Sequence, residues 1–203
     1  MGKNIGLIPL GFTEIWSASF NSAIIISAGD NAEFIAFCGI NLDITIFNKE
    51  NVYLPAFLKT YPFLNVEVEN KDKKVNSLIA IDNNPKYVAK DKKIFILDKE
   101  KNLSKQVATK VELIKELNSQ RAVCRRIIAE LKKLDLLIKK GLRVKIEGKE
   151  EKVILEEFYV INIEKLLKLD DKIIASFAKK GWMGIFDAHL KSIGNFEKIL
   201  KAN

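Results

Sequence analysis

The sequence predicts an α+β fold, a mainly antiparallel sheet packed with one long helix and short C-terminal helices. Three observations predict it. Short apolar or alternating runs separated by turn formers fill residues 22 to about 100, the spacing of an antiparallel sheet. From about Leu103 to Lys140 the apolar positions recur every three or four residues, the period of a helix. Beyond Gly141 a strand pattern returns for two runs, and helical segments close the chain. A single domain over residues 1–203 is expected, with a strand-rich part at about 22–100, the long helix at about 103–140, and a hairpin and helices at about 142–200.

The strand runs are "AIIISA", "EFIAFCGI", "LNVEVEN", "NSLIAID" and "KIFIL", divided by "AGDN", "FNKEN" and "DNNP". One stretch, "VYLPAFLKTYPF", departs from that pattern: Pro55 can open a short helix, and Tyr61-Pro62 ends it because a residue before proline avoids the helical region. In the long helix Val107, Val111, Ile114 and Leu117 form one stripe, which resumes at Cys124, Ile127 or Ile128, Leu131 and Leu134. Arg121 stands where the next apolar residue belongs. Either the helix breaks near "NSQ", or the arginine reaches partly buried ground, snorkelling from the helix edge or meeting an anion or carboxylate. Gly141 is expected to close this helix. Next come "LRVKIEG" and "KVILEEFYVIN", a hairpin turning through Gly148-Lys149-Glu150. "NIEKLLKL" can be capped by Asn162, and "DDKIIASFAKKG" starts on acids and ends on lysines before a glycine, as a helix dipole favours.

Composition narrows the function classes. With 203 residues, 48% of them hydrophobic, the chain can bury a substantial core. Its longest apolar neighbourhood is interrupted by Gly29, Asp30, Asn31 and Glu33, so no stretch supplies the ~20 apolar residues of a membrane span. The N-terminus makes a poor signal peptide, and a cytoplasmic location is expected, with surface association through a non-classical export route as the alternative. Cys38 and Cys124 are too few for a disulfide framework and lack metal-ligand neighbours, so neither a metal nor a cofactor is expected. The net charge of +8 does not imply nucleic acid. Lysines alternate with acids, as on solvated surface, and neither arginine forks nor aromatics interleaved with basic residues occur.

The single histidine lies in "GWMGIFDAHLKSIGN", residues 181 to 195. On a helical wheel His189 shares an arc with Trp182, Ile185, Phe186, Ile193 and Phe196, while Asp187 and Lys191 fall opposite as an exposed acid-first pair. Asp187 therefore does not orient the imidazole, and Ser192 sits at the edge of the same stripe. A hydrogen-bonded role at a helix–sheet contact is the leading reading of His189, ahead of ligand recognition and of catalysis. "KTYPFL" offers Tyr61 either as a groove lining or as a core corner.

Taken together, "IPLGFTEIW", "FLKTYPFL", "QRAVCR" and "EEFYVINIEKLLKLDDKIIASFAKKGWMGIFDAHLKSIGN" resemble the SapC family of bacterial proteins over nearly the whole chain and in motif order. The resemblance implies a family named for a member encoded with surface-layer genes, other members of which accompany flavin halogenase-like and cupin-like proteins and outer-membrane uptake systems. Longer members carry a segment before the "IPLGFTEIW" equivalent, which stands almost at the start here. Two functions are carried forward. One is a non-catalytic cytoplasmic accessory or interaction protein, linked to surface-layer or secretion and uptake systems, with a protein partner or a second copy of itself. The alternative is a small-molecule-binding protein or enzyme whose pocket between sheet and helices uses Tyr61, Arg121, His189 and Ser192.

Overall fold

Gly6–Pro9 forms an edge strand, β1, and Glu14–Ala18 a short helix, α1, which overlap the two ends of "IPLGFTEIW", where the sequence reading placed no element. The structure, a computed structural model, describes residues 6–40, 51–69, 75–84, 95–144 and 151–201. The remaining elements, in chain order, are β2 (Ala23–Ser27), β3 (Phe34–Gly39), α2 (Ala56–Thr60), β4 (Phe63–Glu69), β5 (Val75–Ile81) and α3 (Lys105–Lys133). β6 (Leu137–Val144), β7 (Lys152–Ile161), α4 (Ile163–Leu166), α5 (Asp171–Lys179), α6 (Trp182–Ser192) and α7 (Asn195–Lys201) complete the chain. The fold is α+β, with a five-stranded antiparallel sheet ordered β1-β3-β2-β7-β6 and a separate β4-β5 pair.

Two compact units divide the chain, Met1–Pro55 with Gln120–Asn203, and Ala56–Ser119. The first holds the five-stranded sheet. β2 and β3 pair from Ala23↔Phe37 to Ile26↔Phe34, and nearly every residue of both is buried, the continuous apolar pattern of strands covered on both sides. Phe34, Phe37, Ile24, Ile26, Ile127, Ile128, Leu131, Leu136 and Phe186 are among its largest fully buried side chains, each worth about 1.5–3 kcal/mol of burial. In the second unit Phe63, Val107 and Ile114 form a small core with Ile81 and Val111 packed against it. Here α2 ends at Thr60, directly before Tyr61-Pro62, as the proline rule predicts.

The long helix runs unbroken through "NSQ" but stops at Lys133 rather than Lys140. Asp135 takes a left-handed φ of 53°, and the Leu136 N–H returns to the Leu131 carbonyl at 2.9 Å, the bond that closes a helix after a left-handed residue. Leu137 to Lys140, expected as the last helical turn, instead begin β6 against β7. Gly141 therefore caps nothing; it sits where the β6–β7 register shifts. "KIFIL" shows no strand in its described part: residues 93 and 94 lie outside the described residues, and Leu97 makes one bridge to Leu103. "FNKEN" up to residue 50, the proline of "DNNP" and the Gly148-Lys149-Glu150 turn also lie outside the described residues.

The cap expected at Asn162 is present, and the first acid of "DDKIIASFAKKG" is also a cap. Asn162 Oδ1 accepts the Lys165 N–H at 3.1 Å, and Asp170 Oδ1 accepts the Lys172 N–H at 2.8 Å, each satisfying an amide that the helix leaves over. Gly181 ends α5 with φ 72°, a conformation a Cβ disfavours.

Candidate functional site

The β2–β7 ladder contains only Ile26↔Tyr159 and Ser27↔Phe158. Extending that register by two residues sets Ile24 opposite Ile161, a pair that would exchange two backbone hydrogen bonds. It does not form. The two N–H groups turn instead to side chains of α6: Ile161 N–H donates to His189 Nε2 at 3.1 Å, and Ile24 N–H donates to Ser192 Oγ at 2.9 Å. Ser192 Oγ in turn donates to the His189 carbonyl at 2.6 Å. Three residues further on, Asn195 Nδ2 donates to the carbonyls of Ser19 at 2.7 Å and Ser22 at 3.1 Å. The spacing His-x-x-Ser-x-x-Asn thus puts three polar side chains along one stripe; the first two satisfy backbone that the sheet has left unpaired, and the third satisfies carbonyls of the α1–β2 connection.

His189 and Ser192 are wholly buried. Because Nε2 accepts a hydrogen bond, the neutral ring carries its hydrogen on Nδ1. Nδ1 makes no hydrogen bond of good geometry, although the Ile24 backbone still favours the imidazolium electrostatically. Burial dominates and lowers the pKa to about 4. At neutral pH this imidazole is uncharged, with its lone pair engaged; the Phe34 ring meets it edge to face at 6.0 Å.

A second polar cluster joins α3 to the N-terminal motif. Arg121, the interruption in the apolar stripe, binds Glu33 through Nε at 3.1 Å and through Nη2 at 2.9 and 2.7 Å. Arg125 Nη1 adds a bond to Glu33 Oε1 at 2.7 Å, so one carboxylate, 11% exposed in its side chain, faces two guanidinium groups. Of the options open for Arg121, the carboxylate partner is the one the structure contains. One residue earlier, Gln120 Oε1 accepts from the Thr13 N–H and hydroxyl at 3.2 and 2.7 Å. Glu14, buried on α1, accepts from the Gly11 N–H at 2.8 Å and the Tyr53 hydroxyl at 2.9 Å. Cys124 lies between these acids and arginines, its thiol 3.9 Å from the Leu10 carbonyl. Burial first, then the charges of Glu33 and Glu14, pushes that thiol up to about 12. Burial does the same to Cys38, also to about 12, opposed by a hydrogen bond with Ser22. Both cysteines are reduced and buried, and neither is a thiolate at neutral pH.

Of the four residues singled out from the sequence, His189 and Ser192 share one network, and no hydrogen bond, ion pair or ring contact links either to Arg121. Tyr61 belongs to the second unit, where its hydroxyl donates to Asp82; that bond and the Asn84 N–H hold the Asp82 carboxyl below its usual range. Sequence reasoning missed Glu33, Gln120, Arg125 and Asn195. For the arginines a signal existed: Arg121 and Arg125 are four apart and share a helix face. Glu33 and Asn195 carried none, because each is defined by a partner more than 80 residues away.

Among the described residues no group of three or more His, Cys, Asp or Glu side chains is placed to hold a metal ion, and no helix is long and apolar enough to cross a membrane. No curated protein and no solved structure matches the chain at a significant level. The SapC family profile matches residues 1–199. With the motifs of both polar clusters inside that span, the chain belongs to the SapC family.

Proposed function

We propose that this chain is a non-catalytic accessory protein of the cytoplasm that works by binding another protein. One observation carries the reading: the polar residues of its C-terminal signature, His189, Ser192 and Asn195, are engaged with backbone groups of the sheet and of the α1–β2 connection. A general base must offer its lone pair to a substrate proton; the His189 Nε2 lone pair is taken by Ile161. The family's link to surface-layer and uptake systems makes such a system the setting for the partner. A second reading, a small-molecule site at His189 and Ser192, draws on the buried Nδ1, which makes no hydrogen bond of good geometry.

Native mass spectrometry of the purified protein, followed by thermal melting of His189→Ala and Arg121→Ala, decides between them. The accessory reading expects no stoichiometric small ligand and a lowered Tm in both variants. A bound metabolite that vanishes in His189→Ala while Tm stays unchanged would overturn it.

A further inference from the structure

β4 and β5 pair in unbroken register from Phe63↔Ile81 to Glu69↔Val75, and the ribbon they make is anchored at one end. Phe63 and Ile81 pack with Val107, Val111 and Ile114, whereas Val66, Val68, Leu78 and Ile79 are 39%, 43%, 54% and 38% exposed. Successive residues of a strand point to opposite faces, so the exposure of both Leu78 and Ile79 leaves the two faces of β5 open to solvent. A ribbon of two strands is marginal on its own, and a third strand is one way to complete it.

The edges of the two sheets are not equally guarded. Outward N–H and C=O groups of an edge strand receive another strand unless charge, proline, shortness or a bulge prevents it. β1 is four residues long, ends in Pro9 and has a register shift. β6 carries Lys139, Lys140 and Arg143 and shifts register twice. β4 carries Glu67 and Glu69. β5, "VNSLIAI", has seven residues without charge, proline or register shift, and among the described residues it pairs with β4 alone.

We propose that β5 is a docking edge that takes an extended segment of a partner protein as its third strand, a segment apolar through its middle and acidic at its ends. The proposal rests on the accessory reading above and names the kind of partner. Backbone groups along a strand edge are matched in series only by another extended backbone, so they select a strand over a helix or a small molecule. The apolar middle follows from Leu78 and Ile79, which gain most from apolar neighbours on the adjoining strand. The acidic ends follow from the flanking sequence. "KDKK" directly precedes β5 and "KYVAKDKK" follows it. Both flanks are net positive, so a second copy would bring cations to cations in either pairing direction, while an acid-flanked segment is attracted.

The probe is a blocked synthetic peptide of alternating valine and threonine between pairs of aspartates, added to the full chain and followed by amide hydrogen exchange. It should bind saturably and protect the β5 amides that do not bond to β4, leaving β1 and β6 unchanged. N-methylating every valine and threonine of the peptide removes its ladder donors and should weaken binding at least about tenfold. Leu78→Glu, at an exposed position, should do the same while β4–β5 exchange without peptide stays as in wild type. Lysines in place of the aspartates should also weaken binding. Equal binding of the N-methylated peptide would make β5 an apolar patch rather than a strand edge. Failure of the parent peptide to protect β5 would mean that the edge takes no strand of this kind. Protection of β5 that grows with protein concentration alone would make the occupant a second copy. Each of these three results overturns the proposal, and none decides the accessory reading, which is tested by the bound metabolite and the melting of its variants.

Discussion

His189 is held neutral by the same burial that makes it useful to the fold, and this ties stability to pH with a definite sign. Unfolded, the imidazole takes up a proton near 6.5; folded, it does so only near 4. Between those values the unfolded chain binds more protons, so stability is complete above about pH 6.5 and falls as the pH drops toward 4. The full loss amounts to about 3 kcal/mol. As the chain has one histidine, the pH dependence of wild type minus that of His189→Gln isolates the effect. Urea unfolding at pH 7.5, 6, 5 and 4 should show the two proteins converging as the pH falls. Parallel curves would mean that the ring is protonated inside the fold. That His189 lies in an apolar stripe was legible from helical spacing. Its partner was not, because a backbone N–H carries no residue identity and becomes available only where the β2–β7 ladder stops.

At the scale of elements, the boundary between α3 and β6 shows what local pattern can and cannot decide. "LDLLIKKGLRV" supports a helical continuation, with Gly141 as its stop, as well as a strand. Pairing with the apolar strand β7 resolves it toward the strand, an instance of tertiary contact overriding propensity. The two glycines consequently have different physical roles. At Gly141 an added Cβ would lie 3.0 Å from the Glu156 carbonyl oxygen, backbone that can yield only by bending the β6–β7 pair. At Gly181 a Cβ would meet open space, and the strain would come from φ 72° alone, about 1–2 kcal/mol. Gly141→Ala is therefore expected to lower stability by about 1–3 kcal/mol and to loosen amide protection along β7, while Gly181→Ala leaves β7 protection unchanged. Hydrogen exchange read strand by strand separates the two; equal protection of β7 in both variants would show that Gly141 has room. By contrast, α4 and α5 were readable from their ends, because Asn162 and Asp170 act on amides two or three residues away.

Over the whole molecule, the α+β class was readable from changes in hydrophobic period, whereas the division into two units was not. The long helix is one unbroken element, yet its residues up to Ser119 and from Gln120 onward belong to different units. Arg121, which breaks the stripe, stands two residues past that change. The units also differ in how much they bury. The second relies on Phe63, Val107 and Ile114, while the first encloses most of the fully buried side chains, including both cysteines. A core this small among the described residues has little reserve against truncation, and Phe63→Ala removes about 3–5 kcal/mol of packing where the site is well enclosed. Local opening of the smaller unit is therefore expected before global unfolding. Because the thiols are buried and lie only in the first unit, they report on that unit alone. In Phe63→Ala, hydrogen exchange in β4 and β5 should accelerate strongly, while the labelling of Cys38 and Cys124 by a thiol reagent should remain within about threefold of wild type. If labelling accelerates in step with exchange, the two units unfold as one cooperative body, and the small core is an extension of the large one.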